Sequence, residues 1–72
     1  MSYCIFALSS LTYAYKGGDA LHGAGIRSKI VRLDGTETKN GCRYGIAVSP
    51  SECSAALSVL NRSGVKYGDV LR

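Results

Sequence analysis

The sequence contains no tryptophan and only one each of phenylalanine, proline and histidine in 72 residues. A single histidine leaves little material for a Cys–His catalytic pair or a histidine-rich metal cluster. The sequence also lacks paired carboxylates, an HExxH motif, a phosphate-binding loop and a GxSxG motif. We therefore expect a protein with no bound metal and no cofactor.

Long apolar runs and concentrated charge are missing as well. No stretch approaches the roughly 18 apolar residues of a membrane span, and the N-terminus has no basic segment of the secretory type. The nine basic residues, in a chain of net charge +4, are scattered rather than clustered. We therefore expect a cytoplasmic location and neither a membrane nor a nucleic-acid partner.

The three cysteines are an odd number and form no CxxC motif, which gives little support to a disulfide framework or a zinc site. Cys4 lies in an apolar strand pattern and Cys53 on the apolar stripe of a helix pattern. We expect both to be structural. Cys42 differs, because it joins a polar turn to a strand and is followed by Arg43.

Hydrophobic patterning predicts six elements in one domain, residues 1–72. The predicted strands are 3–9, 26–33, 42–48 and 65–71, and the predicted helices are 11–24 and about 50–62. The polar segment 34–41 is predicted as a loop. In the first helix the predicted buried stripe is Leu11, Ala14, Gly18, Leu21 and Ala24, with Gly18 allowing close packing and Gly17 having no packing role.

Helix boundaries have clear local signals. Ser9 or Ser10 is predicted to cap the first helix, and Ser49-Pro50-Ser51-Glu52 predicts a capping box at the second. Ala24-Gly25-Ile26 and Ser63-Gly64-Val65 predict glycine stops. An offset of 39 residues aligns these starts and stops in the printed sequence. The repeat indicates βαβ followed by βαβ.

Right-handed crossovers in both repeats place two helices on one face of a four-stranded antiparallel sheet. We therefore predict an α+β, ferredoxin-like βαββαβ sandwich with strand order 4-1-3-2. In that topology Cys42 lies beside Ser9 and Ser10, near the positive end of the first helix, where a thiolate is favoured. The predicted site has Cys42 as the reacting thiol, with Ser9, Ser10, Gly41, Arg43 and Tyr44 as binding residues. Cys42 also shares strand parity with Tyr44, so a buried structural role stays open.

Four features carry a resemblance that extends along the whole chain. They are the strand opening at Tyr3, the two glycine stops, the Gly41-Cys42-Arg43-Tyr44-Gly45-Ile46 segment and the Ser49-Pro50 start. With these features the chain resembles small bacterial selenium/sulfur carrier-like domains, which are also found attached to sulfurtransferase-like selenium-metabolism proteins. The resemblance implies a carrier, rather than a catalyst, whose Cys42 holds a persulfide or selenosulfide. Its partners would be a donor such as a cysteine desulfurase and an acceptor protein. The chain departs from the family in two places. Good helix formers are expected at Gly17-Gly18, and a glycine is common at the position of Arg43.

A second interpretation is a small-molecule-binding or regulatory module that acts as a homodimer through its edge strands. Loop 34–41 would then close over a small anion or metabolite, and Cys42 would be structural. Metal-delivery domains use paired cysteines in a loop, which this sequence lacks. RNA binding needs exposed aromatic residues on the central strands, and strand 42–48 offers Arg43, Gly45 and Ala47 on that face.

Overall fold

A computed structural model describes residues 3–33 and 43–71 of the chain. These residues form an α+β structure with a four-stranded antiparallel sheet and two α-helices, which is compatible with a small ferredoxin-like fold. The strands are β1 (Cys4–Leu8), β2 (Ser28–Arg32), β3 (Tyr44–Val48) and β4 (Val70–Leu71). The helices are α1 (Leu11–Gly23) and α2 (Cys53–Arg62), and a 3-10 turn, Pro50–Glu52, leads into α2.

The sheet order is β2-β3-β1-β4, which reads β4-β1-β3-β2 from the other edge; the predicted order, 4-1-3-2, was numbered from the β4 edge. β1 and β3 are antiparallel neighbours at the centre, with Phe6 opposite Ile46 and Leu8 opposite Tyr44. β2 pairs with the other side of β3. β4 contributes two residue pairs at the edge of β1, so it is much shorter than the predicted strand 65–71.

The main core lies between the sheet and the helices. Alternate residues of the two central strands point to this side, as the period of two requires, and Phe6, Leu8, Ile46 and Val48 are at most 1% exposed. Residues from both helices complete the same cluster, namely Ala14, Leu21, Ala56, Val59 and Leu60. Both helices therefore cover one face of the sheet.

The packing of α1 corrects the predicted roles of its two central glycines. Gly17 is buried, and a Cβ built on it would lie 2.6 Å from Cδ1 of Ile46. Gly18 faces open space, since the nearest atom to its Cβ would be the Ser28 hydroxyl at 4.0 Å. The buried stripe is Ala14, Gly17 and Leu21, whereas Leu11 and Ala24, which were predicted to be buried, are exposed.

The helix stops are confirmed. Gly25 and Gly64 have φ angles of 78° and 71°, in the left-handed region where glycine is favoured. After each glycine the chain turns back on the helix, because Ile26 N–H donates to the Leu21 carbonyl at 2.9 Å and Val65 N–H to the Leu60 carbonyl at 3.1 Å.

The helix starts differ from one another. Ser10 caps α1 through its hydroxyl oxygen, which accepts the N–H of Tyr13 at 3.3 Å. The capping box predicted at the second helix is wrong: Ser49 makes no side-chain cap hydrogen bond, and its hydroxyl lies 3.1 Å from that of Ser51. The proline segment forms a 3-10 turn, and α2 begins at Cys53.

The opposite face of the sheet has a small apolar cluster of its own. Gly45 lies at its centre, and a Cβ on Gly45 would come within 2.8 Å of Ile5 Cγ2 and 3.3 Å of Val31 Cγ2. Ala7 and Leu33 are buried in this cluster. Among the described residues, no helix has both the length and the apolar character needed to cross a membrane.

Candidate functional site

Four of the six predicted site residues belong to the described part of the chain: Ser9, Ser10, Arg43 and Tyr44. Gly41, Cys42 and the predicted loop 34–41 lie outside the described residues. The position expected for the Cys42 thiol beside α1 therefore stays a prediction, and so does its orientation toward the helix layer.

The four described residues share one end of the sheet. Leu8, the last residue of β1, lies opposite Tyr44, the first residue of β3. Ser9 follows Leu8 and Arg43 precedes Tyr44, so both adjoin this pair. α1 begins at Leu11, which brings a helix N-terminus and its partial positive charge to the same end.

Ser10 has a structural role at this end, because its side-chain oxygen is already used as the cap of α1. A hydroxyl oxygen keeps further accepting capacity and one donor, so capping does not prevent Ser10 from contacting a ligand. Ser9 is exposed. The structure therefore assigns Ser10 to the helix start and leaves Ser9 on the surface.

Two arginines add positive charge at this end. Arg43 is exposed, and its carbonyl accepts the N–H of Leu33 at 2.8 Å, which extends the β2–β3 pairing. Arg32 is exposed and lies opposite Tyr44. The predicted site did not include Arg32. The strand register, which brings it beside Tyr44, is a tertiary feature.

Tyr44 is half-buried and packs against the main core. Its side chain points to the helix side of the sheet, the side that Ile46 and Val48 also face. Tyr44 is thus held by the core and contributes a fixed wall to this end of the sheet.

The opposite end of the sheet carries a disulfide between Cys4 and Cys53, whose Cα atoms are 5.8 Å apart. The odd number of cysteines gave little support to a disulfide framework and therefore did not predict this pair. Both residues are buried, at 2% and 8% exposure, and the structural role expected for them stays a prediction. Their pairing depends on contact between a strand and a helix start 49 residues apart, which sequence spacing cannot reveal.

A groove lies between α1 and the start of β2, with a volume of 520 Å³. We call it the α1–β2 groove. It is lined by Tyr15, Gly18, Asp19, His22, Ile26, Arg27, Ser28 and Ile30. Volumes of this size are typical of small-molecule sites. The sequence interpretation missed the groove, because Gly18, whose missing side chain keeps it open, was predicted to be packed.

A carboxylate and a guanidinium line opposite walls of the α1–β2 groove. Asp19 and His22 stand on α1, and Arg27 precedes β2. Within the described part of the chain, no ion pair joins Asp19 to Arg27. His22 is exposed and lies far along the sheet from Arg43, because the groove is near Ser28, at the other end of the β2–β3 pairing.

Among the described residues, no group of three histidine, cysteine or acidic side chains is arranged to hold a metal ion. Compared with protein-family models, with curated proteins and with solved structures, the chain gives no significant match. The resemblance to carrier-like domains therefore stays a prediction.

Proposed function

We propose that the protein is a sulfur or selenium carrier in which the Cys42 thiol bears the chalcogen. The observation that carries this proposal is the Cys4–Cys53 disulfide. It occupies two of the three cysteines, and Cys42 is the remaining one. A carrier of this kind needs one thiol, whose thiolate attacks the sulfane sulfur of a donor persulfide. A new S–S bond forms on Cys42, and the donor leaves as a thiolate.

The charge near this end of the sheet supports the proposal. Arg43, adjacent to Cys42 in sequence, and Arg32 are exposed cations, and α1 contributes its N-terminus. Positive charge and helix N-termini favour the thiolate over the thiol. The partners are then a chalcogen donor, of the cysteine desulfurase class, and an acceptor protein, and the protein transports rather than catalyses.

We also propose that the finer architecture is ferredoxin-like. The βαββαβ connectivity, the central β1–β3 pair and the two helices on one face support it. This scaffold would hold a carrier cysteine at the entry to a central strand.

The carrier function is tested by intact mass after incubation with a persulfide donor. The wild type should gain one sulfur atom, which a reductant removes, and Cys42→Ser should gain none. Arg43→Gln should slow alkylation of the same thiol near neutral pH, because it removes a neighbouring cation. A wild type without the adduct, or an adduct that persists in Cys42→Ser, would rule out the carrier.

A second candidate function is a small-molecule-binding or regulatory module that acts as a dimer, with Cys42 structural. The α1–β2 groove favours it, because Asp19 and Arg27 line the same cavity. The outer edge of β2 has no strand partner in the described sheet, which leaves it open to pairing in a dimer. Lys29 and Arg32 place like charges on this strand, and these charges act against such pairing.

This second function is tested with isotope-labelled protein and light scattering. Titration with a mixture of small metabolites should shift the amide signals of Gly18 and Asp19 and raise the mass to that of a dimer. A Gly18→Met side chain fills the groove and should abolish the shifts, while Gly18→Ala, which leaves the groove open, should keep them. A monomer whose groove signals do not move would rule this function out.

A further inference from the structure

The hydrogen bonds on the inner side of β2 show which of its backbone groups face outward. Leu33 N–H donates to the Arg43 carbonyl at 2.8 Å, so these two residues form a hydrogen-bonded pair that continues the β2–β3 ladder. In an antiparallel ladder such pairs alternate with pairs that exchange no hydrogen bonds. Counting back from Leu33, the residues of β2 whose N–H and C=O groups face the outer edge are Ser28, Ile30 and Arg32.

The α1–β2 groove lies directly beside this outer edge. Ser28 and Ile30 line the groove, and Ile30 packs against the main core on the helix side of the sheet. Side chains of residues opposite one another in neighbouring strands project from the same face. A strand that paired with the outer edge would therefore place the side chain opposite Ile30 in the groove. Gly18 leaves room for that side chain, because a Cβ built there would have the Ser28 hydroxyl, at 4.0 Å, as its nearest atom.

A free strand edge beside a groove is an arrangement by which proteins bind extended peptides. The added strand gains main-chain hydrogen bonds, and the groove selects among its alternate side chains. Within the described sheet, no strand pairs with the outer edge of β2. Tyr15, Ile26 and Ile30 give the groove an apolar part. The residue that enters the groove opposite Ile30 is therefore expected to be apolar.

The charge of the edge decides which strand is accepted. Lys29 and Arg32 are exposed, and so is Arg27, which precedes β2. No acidic residue occurs in β2. A second copy of the chain would bring a strand of the same charge to this edge, and like charges oppose pairing. An acidic strand, by contrast, would form one cross-strand ion pair with Lys29 and another with Arg32.

We propose that the outer edge of β2 binds an extended acidic segment of a partner protein, which adds to the sheet as an antiparallel strand, the pairing that is more stable per residue. The central residue of the segment is apolar, lies opposite Ile30 and enters the α1–β2 groove. Carboxylates stand one residue after it, opposite Lys29, and two residues before it, opposite Arg32. This proposal goes beyond the carrier function, because it does not involve Cys42.

The test uses the full wild-type chain and synthetic peptides. The probe is acetyl-Thr-Glu-Val-Leu-Glu-Thr-Glu-Thr-amide, in which leucine is the central residue, and a peptide with lysine in place of every glutamate is the charge-reversed control. Two N-methylated forms of the probe test the hydrogen bonds. N-methylation of the leucine removes an N–H that faces Ile30, whereas N-methylation of the glutamate after it removes an N–H that points away from β2.

Binding is followed on isotope-labelled protein by amide signals and hydrogen exchange. The acidic peptide should shift the Ile30 and Gly18 signals and slow exchange of the Ile30 N–H, because that group gains an acceptor. The Val31 N–H already faces β3 and should exchange slowly with or without the peptide. N-methylation of the leucine should abolish binding, and N-methylation of the glutamate after it should leave binding intact.

Protein variants test the charges and the groove. Lys29→Gln/Arg32→Gln should weaken binding of the acidic peptide about fivefold, as expected for the loss of two cross-strand ion pairs. Lys16→Gln/Arg62→Gln removes the same charge away from the groove and should leave binding unchanged. Gly18→Met fills the groove and should prevent binding, while Gly18→Ala, which leaves the groove open, should bind as the wild type does.

Several results would overturn the proposal. An Ile30 signal that does not move with about 1 mM peptide would show that the edge does not accept this strand. Equal binding of the acidic and the lysine peptides would show that the edge cations do not select acids. Equal losses from the two N-methylations would exclude strand addition. A dimer by light scattering, with slow exchange at Ile30 before any peptide is added, would show that a second copy occupies the edge. The persulfide test at Cys42 stands whichever result is obtained.

Discussion

Gly17 of α1 lies directly above Ile46 of β3, so close that a Cβ on Gly17 would be 2.6 Å from Cδ1 of the isoleucine. Ile46 is fully buried, so its Cδ1 could shift only within the packed core. The missing side chain therefore sets how closely the helix approaches the sheet. Gly18, the next residue, instead faces the α1–β2 groove.

We predict that alanine stabilises the protein at Gly18 and does not stabilise it at Gly17. Each substitution gains about 1 kcal/mol of helix propensity, so their difference measures packing alone. Overpacking a dense core costs about 1–3 kcal/mol, and Gly18→Ala should exceed Gly17→Ala in unfolding free energy by that amount. Urea titrations followed by circular dichroism measure both. Equal stabilities would mean that the core above Ile46 relaxes without cost.

The contrast shows which part of the fold was predictable. Periodicity and glycine stops are local signals, and they located both helices and the strands β1 to β3 to within about three residues, whereas β4 covers only the end of the predicted strand 65–71. The roles of Gly17 and Gly18 depend on the rotation of α1 about its axis, which Ile46 and Leu60 settle. The predicted buried stripe from Leu11 to Ala24 has nearly the same helical period as the observed stripe. Periodicity alone therefore could not decide which side of α1 faces the sheet.

The candidate site was predictable only where strand pairing follows from topology. The repeat implied the central β1–β3 pair, and with it the shared position of Ser9 and Arg43. The Cys4–Cys53 contact depends on how α2 packs against the sheet, and the α1–β2 groove depends on how α1 does. These contacts join residues far apart in sequence, and pattern alone carries no information about them.

The two helix starts make a second prediction. The Ser10 hydroxyl oxygen accepts the N–H of Tyr13, so Ser10→Ala should lower the unfolding free energy by about 1 kcal/mol. Ser49 makes no such bond, and Ser49→Ala should change stability by less than about 0.5 kcal/mol. Denaturant titration of both variants checks this. A loss of unfolding free energy in Ser49→Ala as large as that in Ser10→Ala would show that Ser49 caps its helix as the sequence predicted.

The glycine stop of α1 provides a third prediction. Gly25 has a φ of 78°, where a side chain costs about 1–2 kcal/mol, so Gly25→Ala should destabilise by that amount. Gly23, two residues earlier, ends the helix with negative φ and has no atom within 4 Å of a built Cβ. Gly23→Ala is therefore the matched control and should be neutral or stabilising. Thermal unfolding midpoints that fall equally for both would contradict the left-handed assignment.

The disulfide gives the largest expected effect on stability. It links residues separated by 49 positions, and closing a loop of that length in the unfolded chain stabilises the native state by about 4 kcal/mol. Cys4→Ala/Cys53→Ala should lose at least half of that, while Cys42→Ser, which leaves the cross-link intact, should lose little. Comparison of oxidised with reduced wild type isolates the cross-link from the lost side-chain packing. Equal unfolding free energies for the two redox forms would show that the Cys4–Cys53 bond does not constrain the unfolded chain.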